Sequence, residues 1–113
     1  MKISEKKPSR SFFVGKNKEI KIDDCGSIIL ENNEQITFLT KSNKEYDVVK
    51  KDWGFYATPS VNNRLCKQGF KCALVKNNEG HHYVMLVQKD KLKNFESYIS
   101  NEKNHIVMWL DEL

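Results

Sequence analysis

Short runs of β-branched and aromatic residues, each closed off by a cluster of turn formers, recur through the first half of this chain and restrict it to a meander of brief strands. Ser27-Ile28-Ile29-Leu30 and Gln35-Ile36-Thr37-Phe38-Leu39-Thr40 flank Asn32-Asn33. Asparagines tolerate the left-handed backbone of tight turns, so the pattern predicts a β-hairpin. Lys41-Ser42-Asn43-Lys44 supplies the next turn, and Glu45-Tyr46-Asp47-Val48-Val49-Lys50 the next strand. Alternation there puts Tyr46 and Val48 on one face and Asp47 and Val49 on the other. Earlier, Glu19-Ile20-Lys21-Ile22 reads as a brief strand and Asp23-Asp24-Cys25-Gly26 as a turn. The polar stretch over residues 1–10, which contains Pro8, reads as a flexible arm, with one α+β domain over residues 11–113 beginning at Ser11-Phe12-Phe13-Val14.

The texture changes after Ala57. Thr58 suits a helix N-cap, Pro59 the first helical position and Gly69 the C-terminal exit, which predicts a short helix over residues 59–68. Phe70-Lys71-Cys72-Ala73-Leu74-Val75 and His82-Tyr83-Val84-Met85-Leu86-Val87 follow as strands around Asn77-Asn78-Glu79-Gly80. The second is apolar on both faces and reads as a central strand. Asp90 is placed to cap a helix running to Glu102, with Leu92, Phe95, Tyr98 and Ile99 on one side to cover the sheet. His105-Ile106-Val107-Met108-Trp109-Leu110 completes the order as a final strand. The fold class is α+β: an N-terminal antiparallel β-meander followed by α-β-β-α-β, with helices packed on a mostly antiparallel sheet.

Size and composition permit a packed core without staples. A chain of 113 residues with 39% hydrophobic side chains and twelve aromatics buries roughly two-thirds of its unfolded surface. Three cysteines are an odd number, which fits free thiols in a reducing, cytoplasmic setting better than a disulfide framework. There is neither the apolar run of a secretory signal nor one of membrane-spanning length. The net charge of +4 is unevenly spread: Lys50 to Lys93 carries nine Lys/Arg against three Asp/Glu, and Asn94 to Leu113 one against four. A basic middle attracts anionic partners, although scattered lysines also serve solubility.

The stretch from Lys50 to Arg64 collects the most site-like chemistry. Trp53, Phe55 and Tyr56 offer flat apolar walls. The helix start expected at Thr58 offers free amides to an anion, and Ser60, Asn62, Asn63, Arg64 and Lys67 add donors or charge. The plainer reading assigns alternate aromatics to the core and Thr58-Pro59 to ordinary capping. Other constellations are weaker. Cys66, Cys72, His81 and His82 carry zinc-type ligands without finger spacing, and adjacent histidines in a strand point to opposite faces. Cys66 among Arg64, Lys67 and Lys71 has the cationic neighbours that favour a thiolate, but no histidine is tied to it by sequence. Asp47 and Asp52, with Glu45, lack a defined separation as an acid/base pair and more simply pair with lysines. Gly-rich phosphate loops and the common hydrolase motifs are absent.

The sequence therefore points to a small non-enzymatic binding or accessory domain that recognises an anionic small molecule or an acidic protein segment, with no metal or cofactor. Its alternatives are a single-stranded nucleic-acid-binding domain, favoured by lysines beside aromatics, and a small enzyme using Cys66 or a histidine. An edge strand such as the terminal one leaves a homodimer open.

Overall fold

The computed structural model describes all 113 residues and confirms a mixed α+β chain dominated by antiparallel strands. Eight strands and two helices follow in order: β1 (Lys2–Val14), β2 (Ile20–Ile29), β3 (Gln35–Leu39), β4 (Glu45–Lys51), β5 (Gly54–Ala57), α1 (Arg64–Lys67), β6 (Phe70–Lys76), β7 (His82–Gln88), α2 (Leu92–Asn101) and β8 (His105–Trp109). They form three small sheets rather than one, ordered β1-β2, β3-β4-β5 and β7-β6-β8. Backbone contacts gather the chain into two compact units. The first comprises Met1–Ile36 and Val48–Tyr56, the second Thr37–Asp47 and Ala57–Leu113. No helix is long and apolar enough to cross a membrane.

In the first unit, β1 and β2 make a long antiparallel ribbon. Residues 1–10, expected as an arm, are thus paired chain, and the turn expected at Asp23-Asp24-Cys25-Gly26 is the interior of β2. Three features carry β2 through those turn-forming residues. The register shifts between Glu5 and Arg10, so the extra residues of β1 bulge out opposite Cys25. Asp24 is held there by Lys6 at 2.5 Å and Arg10 at 3.6 Å. Gly26, with φ +151°, then lets the Ser4 carbonyl approach so closely that a Cβ would stand 2.2 Å from its oxygen. The expected hairpin between Ser27-Ile28-Ile29-Leu30 and β3 does not form: β2 pairs with β1, and β3 with β4. Asn33 does adopt a left-handed backbone, φ 69°, but its N–H bonds the Lys50 carbonyl of β4 at 2.7 Å.

The turn expected between β3 and β4 is present. Asn43 is left-handed, its N–H bonds the Thr40 carbonyl at 3.0 Å, and Thr40 Oγ1 accepts the Lys44 N–H at 3.1 Å. The two-residue turn Asp52-Trp53 then returns the chain from β4 into β5, as two-residue connections between antiparallel strands do.

The second unit owes its core to β6. Its alternation sends Phe70 and Cys72 to one face and Ala73 and Val75 to the other. The first pair packs with Leu65 of α1, Tyr46, Val61, Leu86 and Leu110. The second packs with Ile99 and Phe95 of α2, Met85, Ile106 and Trp109. Because β6 is flanked by β7 and β8, it is the central strand, and β7, expected to be central, is an edge. A strand with apolar residues on both faces reads the same wherever it lies in the sheet, because sequence alternation reports faces and not edges.

The helix α2 is shorter than its sequence pattern, since Lys89–Lys91 form a 3-10 turn that takes in Asp90, the expected cap. Of its anticipated stripe, Ile99 is buried and Phe95 half-buried, whereas Tyr98 is exposed. The helix ends in a Schellman turn: Lys103, φ 57°, donates to the Ser100 carbonyl at 3.2 Å and Asn104 to that of Ile99 at 2.9 Å. That turn reverses the chain into β8.

Candidate functional site

The expected site residues fall into two groups, one in each compact unit. Trp53, Phe55 and Tyr56 belong to the first unit, at the turn and along the outgoing strand of the β4–β5 hairpin. All three are exposed, Trp53 by 67% and Tyr56 by 46%. The Trp53 and Tyr56 rings lie 5.8 Å apart and only 16° from parallel, a stacked pair presenting flat faces to solvent. On β5, Phe55 and Tyr56 are successive residues and point to opposite faces, so Phe55 leaves that stack and meets Lys50, whose ammonium lies 5.9 Å from its ring centre.

Two lysines preceding the turn complete this group, and sequence reasoning did not single them out as site residues although they stand next to Trp53. The amine of Lys50 donates to the Asn32 side chain at 3.2 Å and to the Lys51 carbonyl. That of Lys51 donates to the Asn33 side chain at 2.5 Å. Their partners are neutral oxygens, so neither positive charge is cancelled, and that of Lys50 stands near the Phe55 ring. The signal available in sequence was the pair Lys50-Lys51 itself.

The second group surrounds a buried carboxylate. Asp47, its side chain only 6% exposed, accepts the Thr37 hydroxyl at 2.5 Å and Arg64 Nη1 at 2.9 Å. Arg64 Nη2 donates to Thr58 Oγ1 at 3.0 Å, and the Thr58 N–H bonds the Asp47 carbonyl at 3.1 Å. Asp47 is therefore neither an exposed acid nor a lysine partner. It ties β3, β4 and the segment before α1 together, and Arg64 neutralises it.

That arrangement also changes the expected helix. Residues 61–63 form turns and α1 contains only Arg64–Lys67. Thr58 engages the Arg64 guanidinium instead of capping. Ser60 acts as the cap in its place, its Oγ accepting the Arg64 N–H at 3.2 Å and its carbonyl the Leu65 N–H at 3.0 Å. Pro59 is buried. Asn63, φ −137° and ψ −90°, precedes the helix without a side-chain cap bond. A single helical turn has little aligned dipole to offer an anion. Asn62, Asn63 and Lys67 are exposed around it.

The thiols and histidines do not assemble. Cys66 donates to the Val61 carbonyl at 3.3 Å, and Cys72 is buried in the core, where burial, reinforced by the charge of Asp111, pushes its thiol above the ordinary value. No group of three His, Cys, Asp or Glu side chains is placed to hold a metal ion. His82 and His105 both stand opposite Lys76, on either side of β6, and His81 lies 3.9 Å from Glu79.

Comparison of the chain with protein-family models, with curated proteins and with solved structures finds no match.

Proposed function

We propose that this chain is a non-enzymatic binding module whose β4–β5 hairpin recognises an anionic ligand with a flat or apolar portion, such as an acidic protein segment or an anionic small molecule. The observation that carries the reading is the exposed Trp53–Tyr56 stack on a hairpin that also carries Lys51 and, over Phe55 on its other face, Lys50. An aromatic pair held in parallel already has its ring geometry fixed before a ligand arrives, which lowers the ordering cost of binding. The lysines add attraction for negative charge, and their amide and carbonyl partners are weak competitors compared with carboxylates.

The same stack favours one second reading, single-stranded nucleic acid. A base can continue an aromatic stack, at about 1–3 kcal/mol per base, while lysines meet the phosphates. The two readings differ in salt dependence, because phosphate binding releases counterions and weakens steeply as salt rises. Binding of a random single-stranded oligonucleotide and of a poly-glutamate peptide, each titrated at low and at physiological salt, distinguishes them. Trp53→Ala is expected to abolish most of whichever binding is found and to leave the fold intact, since the ring is largely in solvent. Absence of binding to either probe at low salt, or equal binding by Trp53→Ala and the parent, would refute the proposal.

A further inference from the structure

The outer edge of β7 is open, and its composition is unusual for an open edge. No strand lies beyond β7 in the order β7-β6-β8. Its seven residues, His82-Tyr83-Val84-Met85-Leu86-Val87-Gln88, include no Asp, Glu, Lys, Arg or Pro. Their pairing with β6 runs without a bulge from Phe70↔Gln88 to Lys76↔His82. Charges, proline and bulges are the devices by which folded proteins keep a sheet edge from pairing with another chain. The opposite edge has one of them: β8 is only five residues long, and its register with β6 shifts between Leu74 and Val75, leaving Val107 as an extra residue. On β7 the apolar side chains nearest the open end also lie in water. Val84 is 64% exposed and Tyr83 is exposed on the other face. Across the strands Val84 stands opposite Leu74, and Leu74 opposite the exposed Met108, which extends the uncovered apolar surface over the sheet.

We infer that β7 pairs with β7 of a second copy of this chain. An antiparallel pair related by a two-fold axis perpendicular to the sheet must centre on a residue, and only Met85 brings all seven residues of each strand into register. His82 then faces the partner's Gln88, Tyr83 the partner's Val87, Val84 the partner's Leu86, and Met85 the partner's Met85. Each direct pair on the two faces is apolar apart from the terminal His–Gln pair, and none sets like charges opposite one another. The edge is therefore self-complementary in backbone register and charge. The product is a continuous six-stranded sheet in which β7 becomes internal and Val84 gains a cross-strand neighbour. A seven-residue ladder is about 23 Å long, which sets this interface at the weak end of specific association.

The test is the oligomeric state of the full chain by sedimentation equilibrium over a concentration series. A concentration-dependent monomer–dimer equilibrium is expected, weak as befits a single strand pair. Val84→Lys should weaken it at least about tenfold, because the two lysines would stand diagonally across the axis, about 7–8 Å apart, on an edge that lysine protects. Circular dichroism checks that the variant keeps its fold. Independently of that variant, Met85→Cys in a Cys25→Ser background should cross-link under mild oxidation, because directly opposed Cα atoms fall within disulfide reach. A parent chain that stays monomeric throughout the series overturns the inference. So does a dimer whose affinity is unchanged by Val84→Lys and which Met85→Cys fails to cross-link.

Discussion

Replacing Arg64 by alanine should destabilise the second unit by about 2–3 kcal/mol. The magnitude follows from what the substitution leaves behind. Removing one member of a buried ion pair typically costs about 3–5 kcal/mol, since the other charge stays desolvated. Asp47 fits that case, with its side chain 6% exposed and the Thr37 hydroxyl, a neutral donor, left on its carboxylate. Arg64 does not fully fit it, being 45% exposed, so water can reach part of the vacated position and the cost falls toward the lower figure. Asp47→Ala removes the charge together with its bonds and should cost a similar amount, about 2–3 kcal/mol, mostly from the unpaired Thr37 and Arg64 donors. In the double variant neither partner is left alone, so the two losses should fall short of additivity by about 1–2 kcal/mol.

The two tryptophans make the measurement selective. Trp109 is half-buried in the core of the second unit, 5.9 Å from Phe95, whereas Trp53 lies in the first unit and in solvent. Urea unfolding followed by fluorescence in a Trp53→Phe background therefore reports the Trp109 environment, and the shift of midpoint at constant slope gives the free-energy change. A loss below about 0.5 kcal/mol for Arg64→Ala, or additive single variants, would refute the reasoning, because exposed ion pairs that hold nothing together behave that way. In that case Arg64 would be available to a ligand, as the sequence alone suggests.

Two further substitutions probe how local geometry holds each unit. Gly26→Ala should disrupt the β1–β2 ribbon, since its Cβ would meet the Ser4 carbonyl at 2.2 Å; loss of amide-exchange protection across β2 is expected, and unchanged protection would contradict it. Asp111 is nearly buried and bonds the Cys72 N–H at 2.8 Å and Lys71 at 2.9 Å. Burial pushes its carboxyl up, but the Cys72 N–H and the Lys71 amine outweigh burial and hold it below the ordinary value of 3.8. A carboxyl lowered by folding contributes stability that is fully present above the ordinary value and is lost as pH falls through the folded one. Acid unfolding below pH 3.8 should thus be blunted in Asp111→Asn relative to its own stability at neutral pH; an acid limb as steep as the parent's would count against the assignment.

The strands of the second half were legible because their signals are local. Phe70-Lys71-Cys72-Ala73-Leu74-Val75 and its successor are apolar runs bounded by turn residues, and the structure places β6 and β7 within a residue of them. Partner choice was not legible. Asp23-Asp24-Cys25-Gly26 has the composition of a turn, yet β2 passes straight through it, because a bulge in β1 and two cations on Asp24 compensate for poor strand residues. Those compensations come from residues more than a dozen positions away. Thr58-Pro59 misled for a similar reason: its capping signal is genuine as local chemistry, but the Thr58 hydroxyl is taken by Arg64, whose orientation is set by Asp47. At the candidate site, sequence found the aromatic cluster but not that Trp53 and Tyr56 stack, since their contact depends on how the two-residue turn folds back.

Apolar surface left in water differs in kind between the two units, and that difference separates the two interactions inferred from it. The β4–β5 hairpin offers the planar faces of Trp53 and Tyr56 and, over Phe55, the ammonium of Lys50. It can reward a ligand with its own ring faces or negative charge, but it adds no long backbone ladder. The edge of β7 offers the reverse: a run of backbone donors and acceptors with no charged side chain among them, which rewards an extended uncharged strand and gives an anion nothing to pair with. A salt-sensitive ligand and a second β7 therefore have no reason to compete. The oligonucleotide and peptide titrations and the association measurement then interrogate different residues, and the failure of either proposal leaves the other standing on its own chemistry.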